Sequence, residues 1–225
     1  MSKKVYIAIT LLVLLIVVSV GVILAAKPAS VKAVVVGVHV GDSFTYHMEG
    51  ASILTGLVAV DTPAFSKYND TDNYKITITV VNGTSVSFDS VWLFKNGTEV
   101  TGQQTIDLSN GMKSDQNGFW AVYSSNLNVG DLLRPTGFDG LTVNLTNTKT
   151  YADSTRERNF MSIGSESSLI TDPTGSTQRY DSTVVFFDKQ TGMLETLTWI
   201  TFYNNPEMRE AITWNLVNST VWAVQ

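Results

Sequence analysis

The stretch "STVVFFDKQTGMLETLTWI", Ser182 to Ile200, sets an acid, Asp188, beside a base, Lys189. In a cleft such neighbours move protons, whereas between two apolar runs they turn the chain. The flanks decide between these readings. Val184 to Phe187 is β-branched and aromatic, Met193 to Ile200 is again strand-like, and "DKQTG" has the polar and glycine content of a five-residue hairpin loop. Asp188 and Lys189 are therefore expected as exposed turn residues, with Gly192 in the left-handed conformation that closes the loop.

Other chemistry-bearing residues are sparse. "YNDTDNY" places Asp70 and Asp72 two apart with Asn69 and Asn73 alongside, a fragment of the calcium-loop spacing. It lacks the sixth-position glycine and the bidentate glutamate at the twelfth, so a solvated turn is expected. His39 and His47 are the only histidines and cysteine is absent, so a zinc enzyme would need both histidines and a carboxylate. Ordinary strand histidines are expected instead. "GSES" at Gly164 to Ser167 lacks the second glycine of a nucleophile elbow. Glu157, Glu195, Asp89 and Asp107 can each be nominated for a glycosidase pair, and spacing does not choose among them. No phosphate-cradling or dinucleotide-binding glycine loop follows a strand. The expected catalytic, cofactor and metal sets are thus empty. Asn-x-Ser/Thr acceptors for N-glycosylation occur at Asn69, Asn82, Asn96, Asn144 and Asn218, several at predicted turns.

The elements that must carry these residues read as strands. Tyr74, Ile76, Ile78 and Val80 alternate with Lys75, Thr77 and Thr79, the period-two pattern of a half-buried strand. Asn82-Gly83 follows, a tight-turn signal in which both central residues take positive φ, and Val86, Phe88, Trp92 and Phe94 share one parity on the return. Asn96-Gly97 and Asn110-Gly111 extend the pattern into an antiparallel meander. Further strands are expected at 43–48, 142–145, 158–163, 212–217 and 221–224. Phe119 to Leu127 reads as a short helix or a strand, and Asn205-Pro206-Glu207 suits one helical turn. "VHVGDSF" and "LNVGDLL" echo one another, and turns at strand starts explain the echo. The fold class is all-β: an antiparallel meander forming a curved sheet, sandwich or partial barrel, with minor helix. Its many aromatic residues fall mostly on alternating positions, which marks them as core, while some on the outer face could form a carbohydrate or partner platform.

Ahead of this lies "MSKKVYIAITLLVLLIVVSVGVILAA". Lys3 and Lys4 precede an uncharged run from Val5 to Ala26, about 33 Å long as a helix. That length fits an uncleaved transmembrane anchor, with a cleaved signal as the alternative. The two lysines keep the N-terminus cytoplasmic and export the rest. The expected organisation is an anchor over 1–26, a linker over 27–36 and an extracellular β domain over 37–225. Of the chain's 15 basic residues, 13 lie beyond the anchor against 20 acids, so the exported part is acidic and ill-suited to nucleic acid or an anionic lipid surface. Without disulfides, its stability must come from packing.

The segments "VGDSFTYHMEG", "YKITITVVNGTSVSFD", "FKNGTE", "NLNVGDLL", "RERNF", "VVFFDKQTGMLETL" and "ITWNLVNSTVW", in this order, resemble those of uncharacterised membrane-anchored surface proteins of archaea. The resemblance implies an extracellular β domain on a single anchor and no catalytic residues. Many of those relatives carry the anchor at the C-terminus, whereas here the apolar run is N-terminal. The expected function is a non-catalytic cell-surface module that binds an envelope protein, a glycan or its own copies. A carrier with an apolar cavity, an envelope hydrolase and a filament subunit are the alternatives.

Overall fold

The computed structural model describes residues 31–54, 67–115, 119–168, 178–204 and 207–224. The apolar leading segment lies outside them. Among the described residues, no helix is long and apolar enough to cross a membrane.

Nine strands pair antiparallel in one open sheet: β1 (Ser43–Leu54), β2 (Thr71–Asn82), β3 (Ser85–Phe94), β4 (Glu99–Asp107), β5 (Leu145–Thr150), β6 (Thr155–Ser168), β7 (Gln178–Asp188), β8 (Leu194–Asn204) and β9 (Glu207–Ser219). Their order is β4-β3-β2-β1-β9-β8-β7-β6-β5. The chain starts mid-sheet, meanders to the β4 edge, crosses to the β5 edge, and meanders back until β9 pairs with β1 from Phe44↔Ser219 to Leu54↔Met208. Each hairpin follows from alternation. Ile76, Ile78, Val86 and Phe88 face one way and are buried, while the intervening residues meet solvent or the sheet edge.

Among the described residues no second sheet covers that buried face, which favours the curved sheet over the sandwich. The cover is the crossover itself, 108–144, an irregular segment that buries Leu108, Ala121, Val122, Tyr123, Leu127 and Leu133 against the sheet. A buried loop must satisfy its backbone polar groups. Here the sheet supplies partners: Tyr123 N–H donates to the Gly192 carbonyl, the Leu127 carbonyl accepts from Asn159 Nδ2, and the Ala121 carbonyl accepts from Leu194 N–H. The sheet is also coiled. Phe44 before the middle of the sheet and Tyr151 after its edge strand β5 both pack on Trp222, with ring centroids 5.8 and 5.9 Å away. β1 and β5 would stand about 24 Å apart in a flat sheet.

Strand registers divide the molecule into two ends. At one, termed the base, the turns His39–Asp42, Asn82–Ser85, Asp107–Met112 and Asp188–Gly192 meet the tail after Ser219. At the other, the distal end, β1, β6, β7, β8 and β9 run on beyond the crossover. Residues 31–42 enter at the base and belong to the folded unit: Val34 and Val36 pack on the core, Val35 exchanges hydrogen bonds with Ser124 and Ser125, and Lys32 donates to the Asn126 carbonyl. Part of the expected 27–36 linker thus packs against the domain.

Several local expectations change. In the Asn82-Gly83 turn only the glycine has positive φ (59°), because Asn82 still pairs with Ser85 and Gly83-Thr84 form the two-residue loop. Asn110-Gly111 opens the crossover, and only a single bridge, Ile106↔Lys113, follows it. Phe119 to Leu127 is neither helix nor strand. The 142–145 strand begins only at Leu145, and 221–224 is a tail anchored by Trp222. Asn205 and Pro206 of the expected helical turn lie outside the described residues, and from Glu207 the chain is strand, paired with β1 and β8. The two Val-Gly-Asp segments form the same turn: Asp42 accepts from His39 N–H and Asp131 from Asn128 N–H, both at 2.8 Å. Their likeness is thus a shared turn chemistry.

Candidate functional site

Asp188 ends β7 and does open a five-residue turn closed by Gly192 at φ 76°, but it is fully buried rather than exposed. Arg156, on the neighbouring β6, reaches it with two parallel bonds, Nε to Oδ2 at 2.8 Å and Nη2 to Oδ1 at 3.0 Å. Thr191 adds two more to Oδ1, from its backbone N–H at 2.7 Å and its hydroxyl at 2.8 Å. Burial of this carboxylate is tolerated because four donors meet it, two from a guanidinium whose fork matches its geometry. Lys189 turns the other way and pairs with Glu157 at 3.2 Å. Both lie beside a shallow depression of about 370 Å³ that Arg156, Glu157 and Gln190 also line. Every charge in it has an internal partner.

Next to this pair sits Glu195. The register slips between Phe186↔Thr196 and Phe187↔Leu194, leaving Glu195 as the extra residue of a β-bulge. The bulge lets Leu194 and Glu195, adjacent in sequence, both be buried. Glu195 Oε2 lies 3.7 Å from Arg158 Nη1, and neither carboxylate oxygen makes a hydrogen bond. The Tyr151 hydroxyl lies against this carboxylate, too poorly aligned to make a full hydrogen bond, and the Trp222 indole N–H beside Tyr151 has no partner among the described residues. Burial pushes the Glu195 carboxyl above its ordinary range, with Tyr151, Lys149 and Arg158 opposing the shift. Burial first, and Glu195 second, push the Tyr151 phenol up. A perturbed acid among cations is the electrostatic signature of many active sites. Access is what this one lacks: the Glu195 side chain has no exposure, Trp222 packs over the cluster with Arg156 4.4 Å from its ring, and the Asp153 carboxylate ties the tail down through Ala223 N–H. The Asp188 and Glu195 carboxylates are thus held inside the fold.

The remaining nominated acids serve the frame. Asp89 holds the Gln103 amide. Asp107 accepts from Thr84, Ser109 and Asn110; burial alone would raise its pKa, and these bonds outweigh it and hold the carboxyl low. His39 pairs with Asp42 and His47 with Glu49, each within its own turn or strand. Asn69 gives both ends of its amide to Gly50, and Asp72 accepts from Asn73. Among the described residues no group of three or more His, Cys, Asp or Glu converges for a metal. Of the five glycosylation acceptors, Asn82, Asn96, Asn144 and Asn218 are exposed, whereas the Asn69 Nδ2 is already bonded to the Gly50 carbonyl.

The distal end differs. Beyond the crossover the concave face continues as a depression of about 70 Å³ lined by Trp199, Thr201, Tyr203, Arg179, Glu210 and Ile212. Alternation puts these side chains on one face: Trp199 opposes Ile212, and Tyr203 opposes Arg179. Trp199 is 42% exposed. Around it the polar groups are held in pairs, Arg179 with Asp181 at 3.0 Å, Thr201 with Asp181 at 2.7 Å, and Tyr203 with Glu210 at 3.3 Å. On the opposite face Tyr180 and Phe202 pack together under Arg209. Sequence reasoning placed the aromatic residues in the core by parity. It missed that the strands outrun the crossover, so that core-parity positions at 199 and 203 stay open.

No family model and no curated protein sequence matches the chain, so its own residues carry the functional reading.

Proposed function

We propose that this chain is a membrane-anchored cell-surface module that works by binding, without catalysis, and presents the distal concave face to a glycan or an extended partner in the envelope. The observation that carries the reading is the contrast in access: the carboxylates of Asp188 and Glu195 are shut inside the base, and the half-exposed Trp199 lies in an open depression rimmed by pre-paired polar groups. A flat indole offers an apolar platform to a sugar ring or a side chain, and Arg179, Asp181, Tyr203 and Glu210 offer hydrogen bonds around it at little ordering cost. The uncharged 22-residue run from Val5 to Ala26 supports the anchor. The crossover fills the concave face where a carrier would need an apolar cavity, which favours binding at the surface.

The test is binding of the detergent-solubilised full chain to a panel of neutral and acidic oligosaccharides. Trp199→Ala is expected to weaken any interaction about tenfold, or about 1.4 kcal/mol, while the fold is retained. Binding unaffected by Trp199→Ala, or turnover of an oligosaccharide, contradicts the reading.

A further inference from the structure

The base carries apolar side chains that the core does not use. Val31 is 73% exposed, Val40 64%, Met112 70%, and Phe138 is fully exposed. Val81 and Val221, at 37% and 39%, lie on neighbouring base turns. Scattered apolar residues on a surface need no explanation, but a concentration at one end does. Of the thirteen exposed large hydrophobic residues among those described, seven lie at or beside this end: Val31, Val35, Val40, Val81, Met112, Phe138 and Val221.

Phe138 is also held out by design of its loop. Thr136 N–H and hydroxyl both donate to the Ser109 carbonyl, Gly137 N–H donates to the Arg134 carbonyl, and Leu133 N–H donates to the Leu141 carbonyl. Arg134 pairs with Asp139 and lies 4.2 Å from the Trp120 ring, whose other neighbour is Lys113 at 4.4 Å. A loop so tied cannot fold its phenylalanine back onto the protein. The acids nearby are turned inward: Asp42, Asp107 and Asp139 are each engaged with their own turns.

What faces this end follows from the chain itself. The uncharged run ends at Ala26 and the folded unit has begun by Val31, so five residue steps, at most about 18 Å, separate them. We infer that the base of the domain docks on the bilayer surface beside its own anchor, with Phe138, Met112 and Val40 entering the lipid interface. This inference rests on the anchored reading above. Apolar side chains on a rigid surface enter the headgroup and acyl boundary by the same burial that drives interfacial helices, and net acidity does not oppose contact with zwitterionic lipid. The docked domain stands with β6 to β9 pointing away from the membrane, which lifts the Trp199 depression toward the exterior.

The absence of cysteine makes the test direct. The full chain is reconstituted in phosphatidylcholine vesicles with one nitroxide at Met112→Cys, Val40→Cys, Val100→Cys or Ile16→Cys, and collision with oxygen is compared with collision with a water-soluble nickel chelate. The expected result is oxygen preference at 112 and 40, several-fold over the distal label at 100, with the 16 label deepest. Phe138→Asp is expected to return the 112 label to water while the 16 label stays buried. Labels at 112 and 40 matching that at 100, with 16 buried, overturn the docking and leave the anchor standing. A water-exposed label at 16 overturns both. Spin–spin broadening between 112 labels of two copies shows that a second chain covers the base and overturns the proposal, as does a depth that appears only when phosphatidylserine is added.

Discussion

The two ends of the sheet solve opposite problems with the same strands. At the base, turns are pinned by side chains: Asp42, Asp107 and Asp188 each accept a backbone N–H within their own turn, and Arg156 and Trp222 lock the β6–β8 corner to the C-terminal tail. At the distal end β7, β8 and β9 outrun their cover, and polar side chains pair with one another across open strands. Buried, satisfied charge gives rigidity, and half-exposed aromatic and polar surface gives recognition. The same residue types thus do different work according to access alone. Asp188 and Glu210 are both carboxylates on β-strands; the first has four donors and no exposure, and the second faces an open depression.

The comparison breaks most severely at Asp188. Asp188→Ala strands the Arg156 guanidinium beside Trp222 and should cost about 3–5 kcal/mol, a fall in Tm of roughly 10 °C for a domain of this size, read by thermal unfolding of the full chain in detergent. Gly192→Ala comes next. Its φ is 76° and a Cβ there runs into the Tyr123 carbonyl oxygen, so a loss of about 3 kcal/mol is expected from the strained turn and the displaced crossover. Glu195→Gln should act in the opposite direction. Because burial raises the folded-state pKa above the unfolded value, the protonated form favours folding at low pH. That contribution is lost as pH rises through the raised pKa, so wild-type stability should decline there and the Gln variant should show a flatter profile and a higher Tm at neutral pH. Trp199→Ala should be mildest for the fold, less than about 1 kcal/mol for a half-exposed side chain, while it removes the proposed binding platform. A Trp199 variant as damaged as the Asp188 variant would erase the distinction between the ends.

Much of the sheet was legible because alternation is a local property. Tyr74 to Val80 and Val86 to Phe94 announced β2 and β3, and Gly192 announced the β7–β8 turn. The crossover has no period to detect: its Ala121, Val122, Tyr123 and Ser124 are buried in succession, held by partners far along the sequence such as Gly192 and Leu194. Asp188 was misjudged for the same reason. Its type and its place before a glycine loop fit an exposed turn, and nothing local points to Arg156, 32 residues back, as its partner. The bulge at Glu195 did leave a trace, since "MLETL" interrupts the alternation of β8 with a charge. Trp199 obeys core parity, and only the length of the crossover decides that it is uncovered.

The central claim is that the apolar leading segment holds this domain on the outer side of a membrane with its distal end outward. It is tested most directly by protease treatment of intact cells, followed by fractionation and mass spectrometry. The account predicts release of peptides from the distal 94–99 turn, with residues 1–26 kept in the membrane pellet. Protection of the whole domain in intact cells, or a soluble chain carrying its leading segment, would contradict it.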